Sequence, residues 1–183
     1  MNVQLMRDAL TRVGALLAGD SEAEASTLVL TGAAAGMFGG ILPDVRVTTD
    51  CDVIWVDVDA RWARIEESAK QVAADLGLAP DWLNRASKIF LFNLALGWFD
   101  RCELVGDFGP LHVLRLSRFD LMAAKIVSAP RRSQDFSDLN AMRPTGAELD
   151  LLEEHLDRLE TEDLDRQSFD RHRQILAGLR GRL

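Results

Sequence analysis

The chain has 183 residues, of which 48% are hydrophobic and 27% are charged, and its formal net charge is −8. This length is enough for one domain with a sizeable core, and the acidic balance argues against a general affinity for nucleic acid or for an anionic membrane surface. The N-terminus lacks the apolar stretch of a signal peptide, no run approaches a membrane span, and Cys51 and Cys102 belong to no metal-binding cluster. We therefore expect a cytoplasmic protein with no membrane partner.

Apolar periodicity and turn residues divide the first half of the chain into alternating helices and strands. The pattern predicts a helix over 6–17, a buried strand over 26–30, a turn and small-residue helix over 31–40, a loop at Pro43 and Asp44, a strand over 53–58 and a helix over 62–76. Gly32 lies where the first strand passes into a helix. Backbone N–H groups at such a turn could hold an anion, or the small residues could serve close packing of helix on strand.

The second half begins with an ambiguous apolar run over 89–99, which fits either a helix or a strand. After it the sequence predicts a hairpin of strands over 102–107 and 111–116, a helix from a capping box at Ser117 to Val127, a short helix over 135–142 and two charged amphipathic helices after Thr145. This order predicts an α+β (mixed α/β) fold, a small mixed sheet flanked by helices, with one domain over 1–144 and a C-terminal helical extension over 145–183 packed on it.

Asp50 and Asp52 are the most informative pair of residues in the chain. They stand at the head of an apolar run, and residues two apart point to the same face of a strand, with Cys51 turned toward the core. Two carboxylates on one face repel each other, and a divalent cation relieves that repulsion. Mg²⁺ prefers carboxylate oxygens together with substrate phosphates, so the pair indicates a nucleotide site. The alternative is a pair of solvated turn residues at a strand entrance.

Lys125 is the second candidate, because it lies on an otherwise apolar predicted helix. Asp135 and Asp138 follow one turn apart on the next helix, close to Arg131 and Arg132. The lysine could act as a point charge on a phosphate, or the group could be an ordinary surface ion-pair cluster. The histidines show no metal-binding spacing, and we expect His155 and His172, on charged helices, to face solvent.

Taken in order, these segments resemble the nucleotidyltransferase-like proteins of bacteria, in particular the group allied to the AbiEii toxins and the DUF6036 family. The resemblance covers about residues 28–142 and depends on an ordered set of segments. They are the strand into Thr31-Gly-Ala-Ala-Ala, Arg46-Val-Thr-Thr-Asp-Cys-Asp-Val, Leu78-Ala-Pro-Asp-Trp-Leu-Asn, Ser117-Arg-Phe-Asp-Leu-Met-Ala-Ala-Lys and Arg132-Ser-Gln-Asp-Phe-Ser-Asp-Leu. Such proteins are similar to polymerase-β-type transferases, with two Mg²⁺-binding aspartates on one strand and a third carboxylate on a neighbouring strand.

The resemblance implies a role for each matching residue. Asp50 and Asp52 would be the ligands of a two-metal Mg²⁺ site and, with Lys125, the catalytic residues. The nucleotide-binding positions would be Gly32, Ala33, Thr49, Lys125, Asp135 and Asp138. Two features depart from the family: Ala33 replaces the second glycine or serine of the turn, and no motif fixes the third carboxylate, for which Glu103 and Asp107 are candidates on a strand expected to lie beside Asp52.

The expected function is Mg²⁺-dependent transfer of a nucleotidyl group from an NTP to a hydroxyl of RNA or protein, as a component of a two-gene toxin–antitoxin system with a cognate protein partner. The alternative is a catalytically degenerate nucleotidyltransferase fold that acts as a protein-binding antitoxin or regulatory module. A third interpretation is an acidic domain with no nucleotide role.

Overall fold

The computed structural model describes residues 1–20, 24–43, 45–162 and 168–182. The helices are α1 Val3–Ala18, α2 Gly32–Phe38, α3 Trp62–Leu76, α4 Arg118–Ser128, α5 Ser133–Met142, α6 Gly146–Glu162 and α7 Asp170–Arg180. The strands are β1 Ser26–Leu30, β2 Cys51–Val56, β3 Leu83–Asn84, β4 Glu103–Phe108 and β5 Leu111–Arg115, and 3₁₀ segments span Asp59–Arg61, Ala86–Asn93 and Phe99–Arg101. The predicted mixed α+β class is confirmed.

The five strands form one mixed sheet in the order β3-β2-β1-β5-β4. β1 pairs antiparallel with β2 and parallel with β5, while β3 is parallel to β2 and β4 antiparallel to β5. Leu30 at the end of β1 is in register with Val53 near the start of β2. This register brings the turn after β1 against the start of β2, because the two strands run in opposite directions.

The core lies on the central strands and the helices that cover them. In β1, Leu28, Val29 and Leu30 are all fully buried, so both faces of this strand are covered. Helix α1 packs with α3, and α4 contacts α5, α6 and α7. The apolar stripes of the last two helices are buried in the chain's own core and are not available to a partner.

Most predicted helices and strands are confirmed, with shifts of a few residues at their ends. The strand predicted over 53–58 begins two residues earlier, at Cys51. Ser117 caps α4 as predicted, since its side chain accepts a hydrogen bond of 3.1 Å from the backbone N–H of Asp120. Of the loop predicted at Pro43 and Asp44, Asp44 lies outside the described residues.

Two elements between α3 and β4 differ from the sequence pattern. The two-residue strand β3 was not predicted, because so short a strand has no periodicity of its own. The apolar run over 89–99, which fitted a helix or a strand, is a 3₁₀ segment to Asn93 followed by turns. Ile89, Phe92 and Leu96 within it are exposed. Leu94 and Ala95 in the same run are buried, so hydrophobicity alone does not distinguish the buried positions of this run from the exposed ones.

Candidate nucleotide site at the start of strand β2

Asp50 and Asp52 flank the first residue of β2, and Cys51 between them is fully buried, as the alternation of strand side chains predicts. Both aspartates are partly exposed. The hydroxyl of Thr48 donates a hydrogen bond of 3.0 Å to Oδ1 of Asp50. The two carboxylates thus lie on the side of the strand away from the thiol.

The turn at Gly32 lies directly against Asp52. Gly32 has φ of +65°, and a Cβ built on it would be 2.7 Å from Oδ2 of Asp52. The backbone N–H of Thr31 donates to the carbonyl of Asp52 at 2.9 Å. The positive φ favours glycine at position 32, and a side chain there would fit only if the Asp52 carboxylate moved. Ala33, the next residue of α2, is partly buried.

The environment of Asp52 favours its protonated form. Burial raises the pKa of Asp52, and the negative charges of Asp50 and Asp135 raise it further, while a hydrogen bond from Ser87 and the charge of Arg132 lower it. Ionised Asp52 is therefore an electrostatic cost to the folded protein at neutral pH. A bound cation would remove that cost.

Asp52 lines a small cavity of about 40 Å³ between β2, α4, α5 and the 3₁₀ segment Ala86–Asn93. Its lining is mixed. The apolar lining residues are Ile54, Phe90, Leu121 and Ala124, and the polar or charged ones besides Asp52 include Ser87, Lys125, Ser128, Arg132 and Asp135. Small-molecule sites usually measure roughly 300 Å³ or more, so in this conformation the cavity accommodates an ion or water rather than a nucleotide.

Lys125 is at the centre of a buried ion cluster. Its Nζ donates to Oδ1 of Asp135 at 2.9 Å and to Oδ2 of Asp138 at 2.7 Å, and its side chain is 4% exposed. The surface ion-pair alternative is therefore wrong for these three residues. Because two carboxylates already neutralise the ammonium, Lys125 offers a ligand little net charge.

Further contacts complete this cluster and link it to the loop before Asp50. Ser128 donates to Oδ2 of Asp135 at 2.8 Å, and Nε of Arg132 lies 3.4 Å from the same oxygen, with 62% of the arginine side chain exposed. Arg46, four residues before Asp50, donates to Oδ1 of Asp138 at 3.2 Å. Burial alone would raise the pKa of Asp138, but the hydrogen bonds and charges around it, first among them Lys125, lower it.

The two candidates for a third carboxylate are not near Asp52. Strand β4, which carries Glu103 and Asp107, is the far edge of the sheet, separated from β2 by β1 and β5, so its expected position beside Asp52 is wrong. Glu103 binds Arg115 at 2.5 Å and Asp107 contacts His112 at 2.6 Å. The error arose because β5 pairs with β1 on one side and β4 on the other, which no local pattern shows.

The neighbour of β2 on its other side is β3, and the residue in register with Asp52 is Asn84. Its Oδ1 accepts a hydrogen bond of 2.9 Å from the backbone N–H of Ala86, and its Nδ2 donates to the carbonyl of Asp81 at 3.3 Å. An amide, and not a carboxylate, therefore occupies the strand position beside Asp52.

Five further residues have surroundings that the sequence did not indicate. Thr49 is exposed, and the preceding residue, Thr48, is the hydroxyl that contacts Asp50. Ser87 and Phe90 in the cavity wall were not predicted, because their segment had no interpretable period. The prediction that His155 and His172 face solvent is wrong: His155 is buried and donates to the carbonyl of Asn93, and His172 is half-buried against the carbonyl of Val127.

A larger cavity of about 350 Å³ lies elsewhere, between the end of α1 and the start of α3. Its charged lining includes Arg61, which binds Glu24 and Asp57. It contains none of the predicted site residues. We therefore base the candidate site on the chemistry around Asp52 and not on cavity size.

The residues at the start of β2 fit a Mg²⁺ ion that completes its coordination with a ligand. Within the described part of the chain, no group of three histidine, cysteine, aspartate or glutamate side chains could hold a metal on its own. Mg²⁺ commonly takes one or two protein carboxylates and fills its remaining positions with phosphate oxygens and water. Asp50 and Asp52, partly exposed and mutually repelling, match that requirement.

Comparison of the chain with protein-family models, with curated proteins and with solved structures found no match. Among the described helices, none is both long enough and apolar enough to cross a membrane.

Proposed function

We propose that this chain binds a Mg²⁺–nucleoside triphosphate at the start of β2 and transfers its nucleotidyl group to a hydroxyl of RNA or of a protein, in the cytoplasm, as a component of a toxin–antitoxin pair. The single observation that supports this most is the position of Asp52. Its carboxylate lies against Gly32, whose φ of +65° favours glycine, and it lines a cavity that also carries cationic and hydroxyl groups.

Asp50 and Asp52 would hold the metal ion, which would supply positive charge to offset the negative charge that develops on the phosphates. In the transfer, the acceptor oxygen forms a bond to the α-phosphorus, the α–β anhydride bond breaks, pyrophosphate leaves and the acceptor proton passes to a base. Asp135 is the other carboxylate of the cavity wall and the candidate for that base. Arg132, largely exposed at the cavity, would contact the phosphates, whereas Lys125 would fix Asp135 and Asp138 in place.

The first experiment is thermal unfolding with Mg²⁺ and each of ATP, GTP, CTP and UTP. A ligand that binds the folded state raises its stability by mass action. We expect one nucleotide to raise the melting temperature of the wild type and to have no effect on the Asp50→Asn/Asp52→Asn variant. Asp107→Asn is the matched control, because it removes a carboxylate at the far edge of the sheet. The absence of a shift with all four nucleotides would contradict the proposal.

A second candidate function is a nucleotidyltransferase-like module that binds a partner protein and performs no transfer. Asn84 favours it, since this amide stands in register with Asp52 where a carboxylate would be needed. Incubation with α-labelled nucleotide and cell extract distinguishes the two. Label on RNA or protein that disappears in Asp52→Ala supports transfer, whereas nucleotide binding without label supports the inactive module. In that case, gain of labelling by Asn84→Asp would identify the amide as the missing acid.

A further inference from the structure

The 3₁₀ segment Ala86–Asn93, which follows β3, is unusual in length and in exposure. It has eight residues and none of them is buried; Ile89 is 72% and Phe92 is 87% exposed. Runs of 3₁₀ helix longer than three or four residues are uncommon. Ser87, Phe90, Leu91 and Asn93 are only partly buried, and low burial is typical of the segments of a fold that open locally.

The inner side of this segment covers Asp52. Ser87 and Phe90 are three residues apart, so they lie on one side of a 3₁₀ turn, and both line the cavity that contains Asp52. Ser87 lies near the Asp52 carboxyl and lowers its pKa. The segment also contacts β2 and α4. The carboxylate that would bind a metal ion thus shares its cavity with Ser87 and Phe90.

The attachments of the segment at its ends are polar and partly solvent-exposed. At its start, Arg85 and Lys88 bind the two oxygens of Asp59 at 2.7 and 2.8 Å, and at its end the carbonyl of Asn93 accepts from His155 at 3.0 Å. Exposed ion pairs contribute little to stability, so the pair of Lys88 with Asp59, in which both side chains are about half exposed or more, can be exchanged for water at small cost.

The opposite wall of the cavity is less able to move. There Lys125 is buried between Asp135 and Asp138, and separating buried charges is costly. A nucleotide needs several times the 40 Å³ available beside Asp52. Room for it must therefore come from displacement of the 3₁₀ segment.

We propose that the segment Ala86–Asn93 is a movable cover in which Ser87 and Phe90 occupy the place of the nucleotide, so that a Mg²⁺–nucleotide binds only after the segment leaves Asp52. This inference rests on the proposed function for its ligand. It adds that the site regulates itself: the apparent affinity is the intrinsic affinity multiplied by the fraction of molecules in which the cover is open. Changes that loosen the cover then tighten binding.

Access to the cavity can be measured without any nucleotide. Ala124 lines the cavity, and in an Ala124→Cys protein the reaction of the new thiol with DTNB reports how often the cover opens. The native thiols give a slow background, because burial raises the pKa of Cys51 and raises that of Cys102 to about 12. We expect Phe90→Ala to raise the rate at position 124 about fivefold or more. Phe92→Ala, the same change on the outer side of the segment, should leave the rate unchanged. Equal reaction rates of the position-124 thiol in the two variants would overturn the proposal that the segment covers the cavity.

The second measurement is the affinity for the Mg²⁺–nucleotide that stabilises the wild type. We expect Phe90→Ala and Ser87→Ala to bind it at least about threefold more tightly, and Phe92→Ala to bind it as the wild type does. Unchanged or weaker binding in both inner variants would overturn the competition between cover and nucleotide. If the thiol rates differ as expected but no variant binds any nucleotide, the result contradicts the proposed function and still supports a movable cover over Asp52.

Discussion

The Asp52 carboxylate and the Gly32 backbone are in such close contact that a single added methyl group would lie 2.7 Å from Oδ2 of Asp52. The contact joins the turn after β1 to the start of β2. It leaves the carboxylate room on this side only because Gly32 has no side chain. The geometry of the candidate metal site therefore depends on a residue that has no functional group.

Substitution of Gly32 by alanine tests this dependence. Gly40 is the matched control, because it has nearly the same positive φ, +61°, but no atom within 4 Å of an added Cβ. We expect Gly40→Ala to lower the free energy of unfolding by about 1–2 kcal/mol, the cost of a left-handed backbone at a residue with a side chain. Gly32→Ala should cost about 1–3 kcal/mol more, from overpacking against Asp52. Urea unfolding measures both, and equal losses would show that Asp52 moves aside freely.

Removal of the charge of Asp52 should stabilise the protein in the absence of ligand. Burial and the charge of Asp50 raise the pKa of Asp52 above its unfolded value, so the folded state loses stability as the pH rises through that pKa. We expect Asp52→Asn to raise the melting temperature at pH 7.5 without Mg²⁺ and to abolish stabilisation by Mg²⁺–nucleotide. If Asp52→Asn instead melts at a lower temperature than the wild type, the ionised carboxylate stabilises the folded protein.

The buried Lys125 cluster predicts a large loss of stability from a single substitution. Lys125→Met leaves the carboxylates of Asp135 and Asp138 buried without their shared cation, which should cost ~3–5 kcal/mol of unfolding free energy. The triple variant Lys125→Met/Asp135→Asn/Asp138→Asn removes the unpaired charges and should recover much of that loss. Chemical denaturation of both proteins checks this, and a triple variant no more stable than the single one would contradict it.

We expect the protein to lose stability in mild acid, because two of its histidines have a lowered pKa in the folded state. Burial and the nearby Arg158 lower the pKa of His155, and burial also lowers the pKa of His172. The unfolded chain therefore binds protons that the folded chain does not, and stability falls as the pH drops below about 6.5.

The variant His155→Gln, whose side chain can still donate to the carbonyl of Asn93, tests this directly. We expect the free energy of unfolding to fall less steeply from pH 6.5 to 5 in His155→Gln than in the wild type. At pH 8 the histidine is neutral in both the folded and the unfolded wild type. The difference in unfolding free energy between the two proteins at that pH therefore measures the cost of the substitution itself. Parallel pH profiles would rule out His155 as the cause.

The sequence by itself determined the local features of this protein. Helical periodicity placed α1 and α3, and strand alternation gave the direction of the side chains of Asp50, Cys51 and Asp52 at the start of β2. These features follow from bond geometry and from the separation of apolar and polar side chains within a few residues. Residues adjacent in the sequence are therefore enough to predict them.

The tertiary structure decided which distant residues meet. The pairing of β1 with both β2 and β5 moved Glu103 and Asp107 to the far edge of the sheet and placed Asn84 beside Asp52. Packing of α4 on α5 enclosed Lys125 between two carboxylates. Strand order and helix packing depend on the apolar surface buried over the whole core and on the register between distant strands. No short segment of sequence is enough to predict either.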